Sequence, residues 1–443
     1  QHRQNLFKQI GSDLAFLKGG IDACKYDSDS DLKFRQESNF YYVTGCQQAD
    51  CCAMLDGSCN KFILFVPKLG PEHELWMGKC PKPEEQKVQY EPDDLFFVEE
   101  MGKYLESLGE RKCHVIRDIP QIPNEDMKKL QLENDLQPIL AELRLIKDQK
   151  EIEDLKVTCT MNRNAFHHAM TNLKVGMKEY QVEALHQFAF MNQGAKFASF
   201  NAITASGSNG STLHFVNNVN TIEDNKTFVL DAGCEYNLAC SDHTRTMPTG
   251  RRFTKKQEEV YNIVLRCNKM GIEMVKPGVK WEDIHLACLA ELLKGLREIG
   301  IVKSDKNFEE QFQLGVPSIF QPHGLGHQLG LNVHDVGGYN KNIQKSTDRR
   351  LKYLRTRRVL EAGMVVTVEP GFYFVDGFIN EAKNTAELAQ HINFDVLEEY
   401  RKECGGYRLE DDIVVTESGY EILPGPVKEL HEVYALRDLA YSK

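Results

Sequence analysis

Four carboxylates sit at the ends of apolar, β-type runs in the second half of the chain. Thr227-Phe228-Val229-Leu230 runs into Asp231, and a short excursion returns the chain to Ser241-Asp242-His243-Thr244. Met364-Val365-Val366-Thr367-Val368 runs into Glu369, and Tyr407-Arg408-Leu409-Glu410 opens a run that continues to Val415. Side chains alternate along a strand, so Arg408, Glu410 and Asp412 are expected on one face, and Asp231 and Asp242 at one site on neighbouring strands. A single carboxylate at such a position is ordinarily a turn residue. Four of them gain meaning beside residues 323–334, where His323, His327 and His334, three of the chain's 14 histidines, lie in a glycine-rich segment. Glycines disfavour a helix there and suit backbone lying close to a site.

Converging carboxylates repel one another, and burying them unpaired is costly. Two divalent cations bridged by such groups relieve the repulsion and lower the pKa of a water held between them. Carboxylates plus imidazole form a hard, oxygen-rich set, which suits Mn2+ and similar ions better than thiolate-type zinc sites do. The chemistry expected is hydrolysis by a metal-bridging hydroxide.

The elements that must position these groups are legible in part. The run Lys61-Phe62-Ile63-Leu64-Phe65-Val66 before Pro67 reads as a strand. Tyr41-Tyr42-Val43 before Gly45 and residues 50–55 before Asp56-Gly57 read as strands with turns. Residues 94–107 carry helical spacing through Phe97, Met101 and Leu105. Asp148, three residues before Glu151, predicts a capped helix that continues through Ile152, Leu155, Cys159, Phe166 and Met170. Further helices are expected over 255–274 and from Trp281. The basic run 349–358 reads as a solvated charge run at Arg349, Arg350, Arg357 and Arg358.

At 443 residues the chain is long for one core, and two domains are expected: an α/β domain over 1–135 and a larger one over 136–443. A net charge of -11 argues against nucleic acid or an anionic membrane as partner. No apolar run approaches the ~20 residues of a membrane span. The 13 cysteines lack disulfide or zinc-finger spacing, so reduced thiols and a cytoplasmic location are expected.

Asp231, Asp242, His327, Glu369 and Glu410 stand in the order and spacing of the pita-bread metallopeptidases, a family that includes methionine aminopeptidase, aminopeptidase P and prolidase. The segments His323-Gly324-Leu325-Gly326-His327, Val333-His334-Asp335-Val336-Gly337-Gly338-Tyr339, Leu354-Arg355-Thr356 and Leu75-Trp76-Met77-Gly78-Lys79 resemble the eukaryotic prolidase branch. The resemblance implies an α+β pita-bread catalytic domain behind a smaller N-terminal α/β domain. It implies a di-metal Xaa-Pro dipeptidase that releases proline, with an Xaa-Pro aminopeptidase acting on longer peptides as the alternative. By resemblance, Asp231, Asp242, His327, Glu369 and Glu410 hold the metals, and Glu369 also shuttles a proton. His214, His323 and His334 stabilise the tetrahedral intermediate. Arg355 receives the substrate's terminal carboxylate, Arg408 contacts substrate or a bridging carboxylate, and Ile203 and Val333 wall a proline pocket. A homodimer is implied, with Trp76 closing the partner's site. Phe200 stands where relatives carry tyrosine, and His243 where an aliphatic residue is commoner; His243 is expected to be exposed or to support a ligand. The segment after His214 is shorter than in animal prolidases and is similar there to aminopeptidase P.

Overall fold

The computed structural model describes residues 1–79, 81–116, 127, 129–340 and 343–442. The chain divides into two units, Gln1–Arg144 and Leu145–Lys443.

The first unit is built on a six-stranded mixed sheet. Its strands lie in the order Asp94–Phe97, Lys61–Val66, Cys52–Asp56, Leu14–Lys18, Lys112–His114, Gln131–Glu133. Leu14–Lys18 pairs antiparallel with Cys52–Asp56 and parallel with Lys112–His114. Phe16, Met54, Phe65, Met101 and Leu105 form its core. Helix Leu136–Leu145 belongs with this unit as far as Arg144, whose guanidinium donates to Asn39 Oδ1 at 2.6 Å.

Two local expectations change here. Tyr41-Tyr42-Val43 lies within a helix, Ser38–Thr44, and not in a strand. The Glu37 side chain accepts from Phe40 N–H at the helix start, and Gly45 ends it in the left-handed conformation at φ 69°. Capping at both ends outweighs the strand preference of tyrosine and valine. Residues 94–107 are divided among strand Asp94–Phe97, a 3-10 turn at Val98–Glu100 and helix Met101–Leu108. Phe97 is therefore a strand residue, paired with Val66.

The second unit carries helices Gln149–Asn172, Glu179–Asn192, Lys255–Glu273 and Trp281–Glu298. Asp148 caps the first of them with Glu151 in a reciprocal pair of hydrogen bonds. Strands Ile203–Ser206, Thr227–Ala232 and His243–Pro248 form one antiparallel sheet. Strands Val365–Val368, Asp411–Val415 and Tyr420–Ile422 form a second. A bridge between Thr244 and Glu410 links them. The run expected over 407–415 is two strands: Tyr407–Arg408 pairs with Gly371–Phe372, and Asp411–Val415 pairs with Val365–Val368. Glu410 stands at the change of partner.

Trp281, Ile284 and Cys288 pack with Leu325, Val366 and Val368, so one helix backs both the strand before Glu369 and the histidine segment. That segment runs beside the strand: Thr367 N–H donates to His327 O at 3.0 Å, and Glu369 N–H to Leu325 O at 2.8 Å. A Cβ on Gly326 would run into the Thr367 carbonyl, so only glycine permits this approach.

His186 is buried behind this framework, its Nε2 2.8 Å from Asn162 Oδ1, and burial lowers its pKa from 6.5 to about 3. It therefore folds neutral, and unfolding between those pH values takes up a proton, so stability falls as pH drops from 6.5 toward 3. Replacing His186 with Phe should reduce proton uptake on unfolding at pH 5 by about one, read from the pH dependence of denaturant midpoints.

Candidate metal centre

The antiparallel register sets Thr244 opposite Asp231 and His243 opposite Ala232, so Asp242 enters its strand beside Asp231. Glu410 reaches both: ligand oxygens of Asp231, Asp242 and Glu410 lie within 4.8 Å of one another. A second group, His327, Glu369 and Glu410, meets the same criterion and shares Glu410 with the first. His327 Nε2 is 3.3 Å from Asp242, 3.6 Å from Glu369 and 3.9 Å from Glu410. Its Nδ1 lies 3.0 Å from Gln328 O, which accepts the ring N–H and leaves the Nε2 lone pair toward the carboxylates. The structure thus brings all five sequence-nominated ligands together.

Their electrostatics are those of a cation site. Burial raises the pKa of Asp242 well above the carboxylate range, and the charges of Asp231, Asp412 and Glu369 raise it further. Burial followed by Glu410 raises Glu369, and burial followed by Asp242 and Asp231 raises Glu410. The buried Oδ1 atoms of Asp231 and Asp242 have no hydrogen-bond donor. Oxygen donors in excess of protein donors, with one imidazole, fit hard divalent cations.

Neighbouring side chains fix the ligands. Arg408 donates to Asp231 Oδ2 at 2.5 Å, to Tyr373 Oη at 2.8 Å and to Thr244 Oγ1 at 3.1 Å. The Thr244 hydroxyl donates to Glu410 Oε2 at 2.7 Å. Thr367 Oγ1 lies 3.5 Å from Glu369 Oε1 and accepts the His327 amide at 3.2 Å. Arg245, fully buried, donates to Glu410 O at 2.6 Å and pairs with Asp411 at 2.5 Å. Sequence reasoning missed Thr244, Thr367, Tyr373 and Arg245. The period of two flags the threonines, since Thr244 follows Asp242 by two and Thr367 precedes Glu369 by two.

Asp412 departs from expectation. It does not line the cavity with Arg408 and Glu410, because the strand changes partner between them. Its Oδ2 instead accepts the Asp242 amide at 3.0 Å and the Cys159 thiol at 3.3 Å. Burial pushes its pKa to about 8. His243 is buried, 3.7 Å from the same carboxylate, with Asn162 at 3.1 Å.

The metal ligands open into a cavity of about 890 Å³, whose walls also include Phe200, Ile203, His214, His323, Val333, His334, Arg355 and Arg408. Ile203 lies opposite Asp231 in the sheet register. Both nitrogens of His323 have partners, Gly324 O at 2.8 Å and Tyr373 Oη at 3.0 Å. The His334 ring stands edge-on to His327 at 4.4 Å. His214, His334 and Arg355 are exposed in the cavity wall. The basic run is not simply solvated: Arg349 pairs with Glu381, Arg350 with Asp348 and Arg357 with Glu282, and Arg358 donates to Gly337 O. Trp76 lies in the first unit, on helix Pro71–Met77, 75% exposed.

Comparison with known proteins agrees with this centre. Residues 153–417 match the model of metallopeptidase family M24, and residues 1–116 match the aminopeptidase P N-terminal domain. The Xaa-Pro dipeptidase of Homo sapiens is 35% identical over 99% of this chain and 92% of its own. A probable Xaa-Pro aminopeptidase of Phaeosphaeria nodorum is 36% identical over 95% of this chain and 91% of its own. Escherichia coli aminopeptidase P with the inhibitor Pro-Leu superposes with a TM-score of 0.86 at 28% identity, over 100% of this chain and 98% of that one.

A ligand that binds only the folded state stabilises it, by about 2.7 kcal/mol at 100 times its Kd. Divalent cation added to chelator-stripped protein should therefore raise Tm in a concentration-dependent way, read by calorimetry. In the Asp231→Asn, Glu410→Gln double variant that rise should disappear.

Proposed function

The chain belongs to metallopeptidase family M24, and we propose that it hydrolyses Xaa-Pro dipeptides with two divalent cations, Mn2+ foremost. One observation carries the dipeptide reading: Arg355 lines the same cavity as Asp231, Asp242, His327, Glu369 and Glu410. A dipeptide ends in a carboxylate next to the proline ring, and a guanidinium binds a carboxylate through two parallel hydrogen bonds. In a longer peptide that group is a neutral amide, and the chain continues into the arginine.

Asp231, Asp242 and Glu410 would hold one cation, and His327, Glu369 and Glu410 the other, with Glu410 common to both. When bound, the pair supplies Lewis acidity and lowers the pKa of water held between the ions. Arg408 turns Asp231 so that Oδ2 takes the guanidinium and Oδ1 stays available. Glu369 accepts the water's proton on its carboxylate and delivers it to the leaving proline nitrogen. His214 and His334 present ring nitrogens to the polarised carbonyl oxygen. His323, engaged by Gly324 and Tyr373, fixes the wall beside Glu369. Ile203 and Val333 provide an apolar wall for the proline ring.

The second reading is an Xaa-Pro aminopeptidase. The superposition on aminopeptidase P supports it, and a cavity of about 890 Å³ has room for a longer peptide. The buried state of ten of the twelve described cysteines supports a cytoplasmic protein. Leu75, Trp76 and Met77, exposed by 74%, 75% and 56%, support a homodimer in which this segment meets a second copy.

Two experiments test the reading. Arg355→Ala should lower kcat/KM for Ala-Pro by roughly 10- to 150-fold, the equivalent of about 1.5–3 kcal/mol, and affect Ala-Pro-Ala much less. Equal losses, or a wild-type preference for Ala-Pro-Ala, favour the aminopeptidase. Glu369→Gln should lower kcat by about 10²–10⁴-fold with little change in KM, provided elemental analysis shows the metals retained.

A further inference from the structure

Lys147 and Asp335 form an ion pair at 2.8 Å, with side chains only 2% and 1% exposed. A buried pair of opposite charges is weak evidence of net stabilisation, since desolvation offsets much of the attraction, so its value must be sought in what it specifies. Asp335 directly follows His334, whose ring stands on His327. The loop between these histidines is tied at several points. Asp335 N–H donates to Gln328 O at 2.8 Å, Leu329 N–H to Val365 O at 2.9 Å, and Cys240 N–H to Gly330 O at 2.9 Å. Gly330 lies against the ion pair itself. A Cβ there would run into the Asp335 carboxylate and come within 2.9 Å of Lys147 Cε. Lys147 is anchored at its own backbone, donating N–H to Gly363 O at 2.9 Å. The His334 side chain is exposed in the cavity wall, so its location depends on the backbone beneath it.

We infer that Lys147 and Asp335 are positioning residues for the reaction: their buried ion pair clamps the end of the 327–335 loop and so holds His334 at the substrate carbonyl. The inference rests on the proposed role of His334 and goes beyond it, because it gives catalytic weight to a lysine outside the cavity wall. A displacement of about 1 Å in a catalytic group costs up to about 100-fold in rate.

The test is a cycle of variants assayed on Ala-Pro, with metal content and Tm measured on each. Lys147→Met alone leaves a buried charge and risks the fold, so it is accompanied by the Lys147→Met, Asp335→Asn double variant, which removes both charges. Asp335→Glu keeps the pair and shifts it by one methylene. Each is made with and without His334→Ala. The expected result is that the double variant and Asp335→Glu keep Tm and metal yet lose about tenfold or more in kcat with KM little changed. In the His334→Ala background the same changes should cost nothing further. Full multiplicative loss in that background, or native kcat in both variants, overturns the inference. If His334→Ala alone keeps native kcat, the reading of His334 fails, separately from the clamp.

Discussion

Mutual repulsion among buried carboxylates is the constraint around which the second unit is arranged. Asp242, Glu369 and Glu410 converge on Asp231, and burial and neighbouring carboxylates oppose the ionisation of those three. Among the described residues the guanidinium of Arg408 is placed against Asp231, and it does not offset the whole set. A family M24 metallopeptidase resolves the conflict by binding cations, so the frustration of the metal-free cluster is the affinity of the metal-bound one. The surroundings are consequently rigid. Two sheets joined at Thr244 and Glu410, a glycine-permitted approach of 324–327 to the strand Val365–Val368, and the helix from Trp281 leave the ligands little freedom to move apart.

Specificity is separable from this centre. In the proposed function Arg355, Ile203 and Val333, which line the cavity beside the ligands, would decide which peptide fits. Arg355 is set apart from the run that contains it by the partners of its neighbours. Arg349, Arg350 and Arg357 are committed to Glu381, Asp348 and Glu282, and Arg355 faces the cavity. The pairing partners thus separate the fastened arginines of this basic segment from Arg355, which the resemblance had already set apart.

Much of the framework was legible in the sequence. The strand Lys61–Val66, the capped helix after Asp148 and the helices from Lys255 and Trp281 carry strong periodicity or caps, and they form where that chemistry says. Helix Ser38–Thr44 was not legible, because its caps outweigh a β-prone composition. The break at Glu410 was hidden as well: the β-prone run from Tyr407 to Val415 does not by itself reveal that its two halves pair with different strands. The acids and histidines of the site stood out by residue type. Their supports, Thr244, Thr367, Tyr373 and Arg245, did not, because a hydroxyl or a buried arginine has a role only once its partner is located.

The central claim is that these carboxylates are held together for cations, with Glu410 common to two sites. Isothermal titration of the stripped protein with Mn2+, repeated in buffers of different ionisation enthalpy, measures ion stoichiometry and proton release together. The account predicts two ions per chain and net release of protons on binding, since raised carboxyl pKa values mean that the empty site holds protons that cations must displace. Binding of fewer than two ions, or binding of two without proton release, would contradict it.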